Sequence, residues 1–394
     1  MENSIYKYSI TIEYELEKDN IIKYSTNRIH NLLIDYDYIN KNMPVLYLKA
    51  AIDKNVLDDM KKNIGKKTLI LTVNKYLKDV KPRIEKKYIK DEFVYFLDNN
   101  VNTRQDLDYS KKEIEEGKEL HELVTIGLAK LDLINNNKKI INEVFLNTSP
   151  INMICKNLSH MKLLIEPLTN NKIMKRLIIP PLDTVTKFIK YLDDNQSLYN
   201  TKYRLFYDFD KTYLLSSSGN KVESKDEEFS SVIINIHDTI DKDSKKEGIK
   251  IDKKNKTYIL EADSVDTNVL ENVHTNISIN NILAIGHDGE TKNVDIKSAN
   301  SKIKNVKIAR FRNDNLNKIN EYKRDVENKI SININKSDLD SSIFTINKEY
   351  NIRNFKNLKD KDGKYLLNRK RDIFIREGEE FKLVNLLTFD QIVN

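Results

Sequence analysis

Two carboxylates and a hydroxyl, Asp208-x-Asp210-x-Thr212, follow the apolar run Tyr203–Tyr207. At the end of a strand such a pair can divide a phosphoryl transfer. Asp208 would attack phosphorus, Asp210 would serve as acid and base, and a Mg²⁺ ion would offset the phosphate charge. That chemistry needs further parts: a Ser or Thr ending a second strand, a Lys, and another acidic pair to complete the metal site. The best later candidate is Ile282-Leu283-Ala284-Ile285-Gly286-His287-Asp288-Gly289, with Asp295 beyond it.

The first motif resembles the signature of haloacid-dehalogenase-type phosphotransferases, and the second resembles their Gly-Asp metal turn. The chain departs from that pattern in two ways. His287 stands between Gly286 and Asp288. The parallel sheet of that fold also needs helical crossovers, and residues 213 to 315 show no helical pattern of sufficient length. The simpler expectation is a hairpin with Asp210-Lys211 at or near its turn, and a plain turn at Gly286–Gly289.

Other chemistry finds little support. Cys155 is the single cysteine, which excludes an internal disulfide and a cysteine-based zinc site. The histidines, His30, His121, His160, His237, His274 and His287, form no H-x-x-x-H pair. Glu113, Glu115, Glu116, Glu119 and Glu122 make an acidic run interleaved with Lys111, Lys112 and Lys118. It reads as a solvated surface, with a cation site as the alternative. There is no Gly-rich phosphate loop. Twenty tyrosines, thirteen phenylalanines and no tryptophan suit interface anchors.

The elements that must position these residues are mostly strands. The chain has 394 residues, enough for two or three domains. Its net charge is +7, from 67 basic and 60 acidic residues. The lysines alternate with acids, so solvated faces are expected rather than a nucleic-acid patch. No run approaches the roughly 18 apolar residues of a spanning helix. Met1-Glu2-Asn3-Ser4 carries no feature of a signal peptide.

Tyr6, Tyr8, Ile10, Ile12, Tyr14 and Leu16 alternate with polar residues, as a strand with one dry face requires. Lys18-Asp19-Asn20 turns the chain into a second arm, Ile21 to Ile29. Further strands are expected at Pro44–Ile52, Thr68–Val73 and Phe93–Leu97, with a helix at Val56–Lys62 ended by Gly65. Residues 1–98 thus read as a β-barrel or sandwich, and Asp98–Lys112 as a linker.

The section 113–216 reads as mixed α/β. Leu123–Leu133 and Lys138–Leu146 are candidate strands. Thr148-Ser149-Pro150 starts a helix whose stripe is Ile151, Ile154, Cys155 and Leu158, placing Cys155 in the core. Leu177–Ile179 is a strand stopped by Pro180-Pro181. Asp183 or Thr184 caps a helix burying Val185, Phe188, Ile189 and Leu192. Tyr203–Ser216 is a hairpin. After a polar boundary at Ser217–Glu228, residues 229–394 are β-rich. Strands are expected at Val232–Ile236, Tyr258–Glu261, Ile277–Ile285 and Val306–Phe311, with a helix at Leu316–Ile330. A hairpin joins Ile373–Ile375 to Phe381–Leu387 around Gly378.

This arrangement resembles the tail hub proteins of contractile-tailed phages and phage-tail-like bacteriocins, relatives of the phage late-control protein and the type VI spike's N-terminal region. The resemblance rests on Asn147-Thr148-Ser149-Pro150-Ile151-Asn152-Met153-Ile154 and the strand stopped by Pro180-Pro181. It continues through Phe188-Ile189-Lys190-Tyr191-Leu192, Leu198-Tyr199 and Tyr203–Gly219, with Met43-Pro44 opening a strand. It implies an α+β, β-dominated fold, with two tube-like β-barrel regions flanking an α/β middle section. It also implies a homotrimeric ring in the baseplate of a virion or phage-tail-like particle, made in the host cytoplasm. The ring would contact the tail tube protein, the central spike protein and neighbouring baseplate proteins. No membrane insertion and no sequence-specific nucleic acid are expected. The hub family brings no catalytic, cofactor-binding or metal-binding residue. The alternatives are the phosphotransferase above and another virion structural protein, such as a wedge or fibre connector.

Overall fold

The computed structural model describes residues 6–77, 85–97, 121–159, 162–199, 201–217, 222–223, 229–236, 249–262, 265–270, 278–285, 291–295, 304–310, 329–337, 343–353 and 362–392. Strands dominate. The first is β1 (Tyr6–Glu17), whose alternation places Tyr8, Ile10, Ile12 and Tyr14 in the core. It turns at Asp19 into β2 (Asn20–Tyr24). A 3-10 turn, Thr26–Arg28, leads to β3 (Ile29–Asp37), then β4 (Val45–Asp53). Helix α1 (Lys54–Lys62) follows directly, burying Val56, Leu57 and Met60. Next come β5 (Thr68–Leu77), β6 (Lys86–Leu97) and β7 (His121–Lys130).

These strands do not close on themselves. The barrel is completed by a long C-terminal hairpin, β22 (Gly363–Glu377) and β23 (Glu380–Gln391), turning at Gly378 with φ +67°. The closed order is β22-β3-β4-β7-β6-β5-β1-β23, eight strands with β23 returning to β22. An eight-stranded barrel is just wide enough to be filled by side chains. Tyr8, Tyr88 and Phe374 meet edge-on inside it, at centroid distances of 5.1, 5.8 and 5.9 Å.

The middle section begins with α2 (Leu131–Asn137), which leaves the end of β7. It continues through β8 (Val144–Thr148), α3 (Pro150–Asn157), β9 (Leu163–Ile165) and β10 (Met174–Ile178). Then come α4 (Val185–Gln196), β11 (Tyr203–Tyr207) and β12 (Thr212–Ser216). Thr184 caps α4, its side chain accepting from the Lys187 N–H at 3.2 Å. β8 pairs with β10, and β9, β12 and β11 form a separate three-stranded sheet. A second core, including Met153, Ile154, Phe188, Ile189, Leu192 and Tyr199, lies here.

The remaining strands are β13 (Ser231–Ile236), β14 (Ile249–Asp252), β15 (Thr257–Ala262), β16 (Val265–Leu270), β17 (Ser278–Ile285), β18 (Thr291–Asp295), β19 (Lys304–Arg310), β20 (Lys329–Ser337) and β21 (Glu349–Arg353). Around the C-terminal hairpin they run in the order β14-β15-β13-β21-β22-β23-β20-β16. One hairpin therefore belongs to both β regions. β17, β18 and β19 form a small sheet of their own. The protein is β-dominated α+β, as the sequence leads one to expect. No helix among the described residues is long and apolar enough to cross a membrane.

Several local expectations need correction. Cys155 is exposed. The buried arc of α3 is Met153, Ile154, Asn157 and Leu158. Ile154 and Leu158 fit both possible stripes, so spacing alone chose the wrong neighbour. Leu123–Leu133 overlaps β7 only up to Lys130, since the strand begins at His121 and the last three residues of that range start α2, and only Val144–Leu146 of Lys138–Leu146 is strand. The expected helix at Leu316–Ile330 lies outside the described residues except for its last two, which open β20. Much of the tyrosine goes inward rather than to an interface. Tyr8, Tyr14, Tyr24, Tyr95, Tyr199, Tyr207, Tyr213, Tyr350 and Tyr365 are among the largest fully buried side chains. Several of their hydroxyls reach acceptors: Tyr14 donates to Asp59 at 2.7 Å, Tyr24 to Asp53 at 2.9 Å and Tyr95 to the Met60 carbonyl at 3.0 Å. Tyrosine suits such sites because its ring fills the core while its hydroxyl finds a partner.

The barrel's dependence on its C-terminal staves is testable at Phe374. Phe374→Ala removes the ring that packs on Tyr8 and Tyr88, and the variant is expected to lose about 3–5 kcal/mol. Denaturant unfolding followed by tyrosine fluorescence measures it. An unchanged midpoint would contradict the placement of β22 inside the barrel wall.

Candidate functional site

The structure puts Asp208, Phe209, Asp210 and Lys211 in the turn of the β11–β12 hairpin, where Tyr207 pairs with Thr212. The Asp208 N–H donates to the Lys211 carbonyl at 2.7 Å, and the Phe209 N–H donates to Asp208 Oδ1 at 2.8 Å. The strand is thus returned antiparallel at once, with no crossover after the motif. Thr212 is buried in β12, whereas Asp210 is exposed.

Both faces of this hairpin are covered. Leu205, Tyr207 and Leu214 enter the middle core, while Phe206, Tyr213 and Leu215 enter the barrel core. That explains the nearly unbroken apolar run in each strand. The Phe206 ring lies 4.6 Å from that of Tyr38, and Phe209 meets Tyr36 at 6.1 Å and Phe93 at 6.5 Å. The Tyr207 N–H donates to the Asn42 carbonyl at 2.7 Å, and Lys130 Nζ donates to the Phe209 carbonyl at 3.2 Å. The hairpin therefore docks beside the residues that enter β4, whereas α1 leaves the other end of that strand.

Charge is concentrated where the hairpin meets β3 and β22. Asp35 is buried and held bidentately by Arg369, at 2.7 and 2.8 Å, and by Lys41 at 2.8 Å. Arg371 lies 3.5 Å from the same carboxylate. Burial alone would raise the Asp35 pKa, but Arg369 and Lys41 outweigh it and hold it below the usual carboxylate value. The alternate residues of β22, Lys370 and Asp372, point the other way and are buried. Asn385 donates to Asp372 at 2.7 Å, and Lys370 Nζ sits 4.0 Å from the Tyr36 ring centroid.

Asp208 lies within electrostatic range of Lys370, Asp372, Tyr36 and Tyr38. The residue as a whole keeps some exposure, yet its surroundings are crowded enough for burial to raise its pKa. Lys370 and the Phe209 N–H oppose that rise, and the nearby Asp210 and Asp372 add to it. A nucleophilic carboxylate must be ionised, and burial here acts in the opposite sense. Nearby, burial pushes Arg204 down to about 10 against the influence of Glu166.

The other candidates are dispersed. Residues 286–290 lie outside the described residues, but the flanking strands β17 and β18 pair antiparallel with Ile285 opposite Thr291, and Asp295 ends β18. Glu113, Glu115, Glu116 and Glu119 lie outside the described residues, and Glu122 is exposed in β7. His121 contacts Asp53, which also binds Arg28 at 2.6 Å. Among the described residues no group of three His, Cys, Asp or Glu stands ready to hold a metal ion. Sequence reasoning missed the Asp35 cluster. Its signal was Arg369-Lys370-Arg371-Asp372, four consecutive charges between the apolar stretches Tyr365–Leu367 and Ile373–Ile375.

Comparison with known proteins bears on this geometry. The family model described as "Bacteriophage PBS1 gene 109 protein" matches residues 2–392. No curated protein matches the chain. Among solved structures, the tail protein from Neisseria meningitidis MC58 is similar, with a TM-score of 0.54 and 8% identity over 98% of this chain and 96% of that one. The 43 kDa tail protein of prophage MuSo2 from Shewanella oneidensis gives a TM-score of 0.53 and 10% identity over 98% of this chain and 97% of that one. The likeness is one of fold.

The Asp35 cluster should make stability depend on pH. Because the folded pKa is depressed, the contribution is complete above the ordinary carboxylate value of about 4 and fades as pH falls through the folded value. Asp35→Asn leaves Arg369, Arg371 and Lys41 facing a neutral group. It should cost about 2 kcal/mol at neutral pH, since hydrogen bonds to charged groups are the strong ones. Unfolding titrations of both proteins should converge below about pH 4. A pH-independent difference would remove the ionic account of this joint.

Proposed function

We propose that this chain, which belongs to the bacteriophage PBS1 gene 109 protein family, is the structural hub of a contractile phage-like baseplate. It forms a homotrimeric ring that joins the tail tube protein to the central spike protein and touches neighbouring baseplate proteins. It works without catalysis or cofactor, in a virion or phage-tail-like particle whose parts are made in the host cytoplasm. The observation that carries this reading is the fold, shared over nearly its whole length with two tail proteins.

The architecture supports it physically. Two β regions in one chain would let three chains present six similar units, so that a trimeric spike could be matched to a hexameric tube. The shared β22–β23 hairpin would carry load between the two regions through backbone hydrogen bonds rather than through a flexible linker. The Asp208 hairpin, in this reading, is a wedge that fixes the middle section against the barrel. Its carboxylates have no part in phosphoryl transfer.

Two measurements test the reading. Purified particles should contain the chain in threefold copy number by quantitative mass spectrometry, with immunogold label at the tail tip. Particles lacking the chain would overturn the assignment. The purified chain should release no phosphate from a phosphomonoester with Mg²⁺, and Asp208→Asn should still enter particles. Wild-type turnover abolished by Asp208→Asn would establish the aspartyl nucleophile instead.

A further inference from the structure

Five of the twelve large apolar side chains exposed among the described residues fall in one small area: Ile140, Val144, Leu146, Ile173 and Ile178. The area is the β8–β10 pair and its flanks. Leu177 lies opposite Phe145 on the face turned to the middle core, and Ile178 lies opposite Val144 on the outer face, as Arg176 does opposite Leu146. Ile140 is 79% exposed, Ile173 72% and Leu146 62%. Lys138, Lys172, Lys175 and Arg176 are exposed around them. Glu143, the one carboxylate in segments 138–148 and 172–178, is paired with Lys156 at 2.6 Å. An apolar patch with a polar rim is the anatomy of a protein interface, and this rim is cationic.

Two copies of this patch would set cations against cations, so it does not suit a self-complementary contact. A ring closed by rotation uses two different surfaces on each chain. The second surface must then be apolar with an anionic rim, and the β1–β2 tip has that character. Ile21 is 61% exposed and lies opposite Glu15, with Glu17 and Asp19 exposed beside it. Lys23 is engaged by Glu13 at 2.9 Å, and Lys67, whose Nζ donates to the Glu15 and Leu16 carbonyls, is paired with Asp59 at 2.9 Å, which leaves Lys18 as the further cation at the turn. From this complementarity we infer that the β8–β10 face of one copy receives the β1–β2 tip of the next copy around the ring. The inference rests on the ring reading and assigns the surfaces that close it.

The test is a charge exchange in the full chain, read as mass in solution by light scattering over a concentration series. Wild type should be trimeric. Lys175→Glu with Arg176→Glu, and separately Glu15→Lys with Glu17→Lys, should each weaken association by about tenfold or more, since like charges are then juxtaposed. Leu146→Ser should do the same without altering the charge of the rim. All these positions are exposed or at a strand end, so an unchanged circular dichroism spectrum and melting curve should accompany the loss. Joining both charge reversals in one chain should restore the trimer. A trimer indifferent to the reversals, or one broken by each and not restored by both, overturns the assigned surfaces and leaves the ring intact. A wild-type chain that stays monomeric overturns the ring itself.

Discussion

The register of β22 against β23 is the constraint on which the rest depends. The two strands have 15 and 12 residues, longer than either β region needs alone. Near their turn, β22 pairs with β3, and Phe381 of β23 pairs with Tyr8 of β1. Farther along, β22 pairs with β21 and β23 with β20. Because side chains alternate with a period of two, a slip of one residue would turn Lys370 and Asp372 outward and Arg369 and Arg371 inward in both sheets at once. The barrel also loses its open edges only when residues from the two chain ends meet. Such non-local pairing is slow to form, so closure waits for the C-terminus.

The buried charges make sense against that register. A strand carrying Arg-Lys-Arg-Asp must place two charges on each face, and each pair needs compensation. The outer pair finds Asp35, which Lys41 also reaches from the turn before β4. The inner pair finds Asn385, the Tyr36 ring and the neighbourhood of Asp208. A slipped hairpin would strand all four. We read the cluster as a device that discriminates between registers more than as a source of net stability, because burying ions costs about as much as pairing them returns. Glu377 continues the pattern at the turn, held down to about 2 by Lys382 and Lys7.

Much of this was legible in the sequence where a single segment decides its own state. The alternation in β1, the cap and stripe of α4, the Tyr203–Ser216 hairpin and the turn at Gly378 all carry local signals strong enough to stand. What failed was whatever a partner decides. β3 passed unnamed because Ile29–Asp37 is buried on nearly every residue toward its end, and so lacks clean alternation. Cys155 was misplaced because α3 has only two turns, too few for periodicity to separate adjacent stripes. That β7 joins β4, with Leu128 opposite Leu46, and that the last hairpin joins β3 and β1, with Arg369 opposite Asp37 and Phe381 opposite Tyr8, are facts of pairing between distant segments. No window of sequence contains them.

The Asp-x-Asp-x-Thr pattern shows where the boundary between motif and chemistry lies. Residue types at fixed spacing supply a carboxylate, a second carboxylate and a hydroxyl, but the backbone decides what those groups face. In a strand that continues into a crossover, the first carboxylate projects from the sheet edge, where ligands bind in open α/β folds. Here the chain reverses within four residues. The Asp208 N–H goes to Lys211, its carboxylate accepts from Phe209, and the Phe209 ring fills the space between Tyr36 and Phe93. The Asp208 carboxylate closes its own turn, while the Phe206 and Phe209 rings on either side of it pack against the barrel. The same apolar run that made the motif look like a catalytic strand is what a hairpin buried on both faces requires, so topology, rather than composition, separates the two roles.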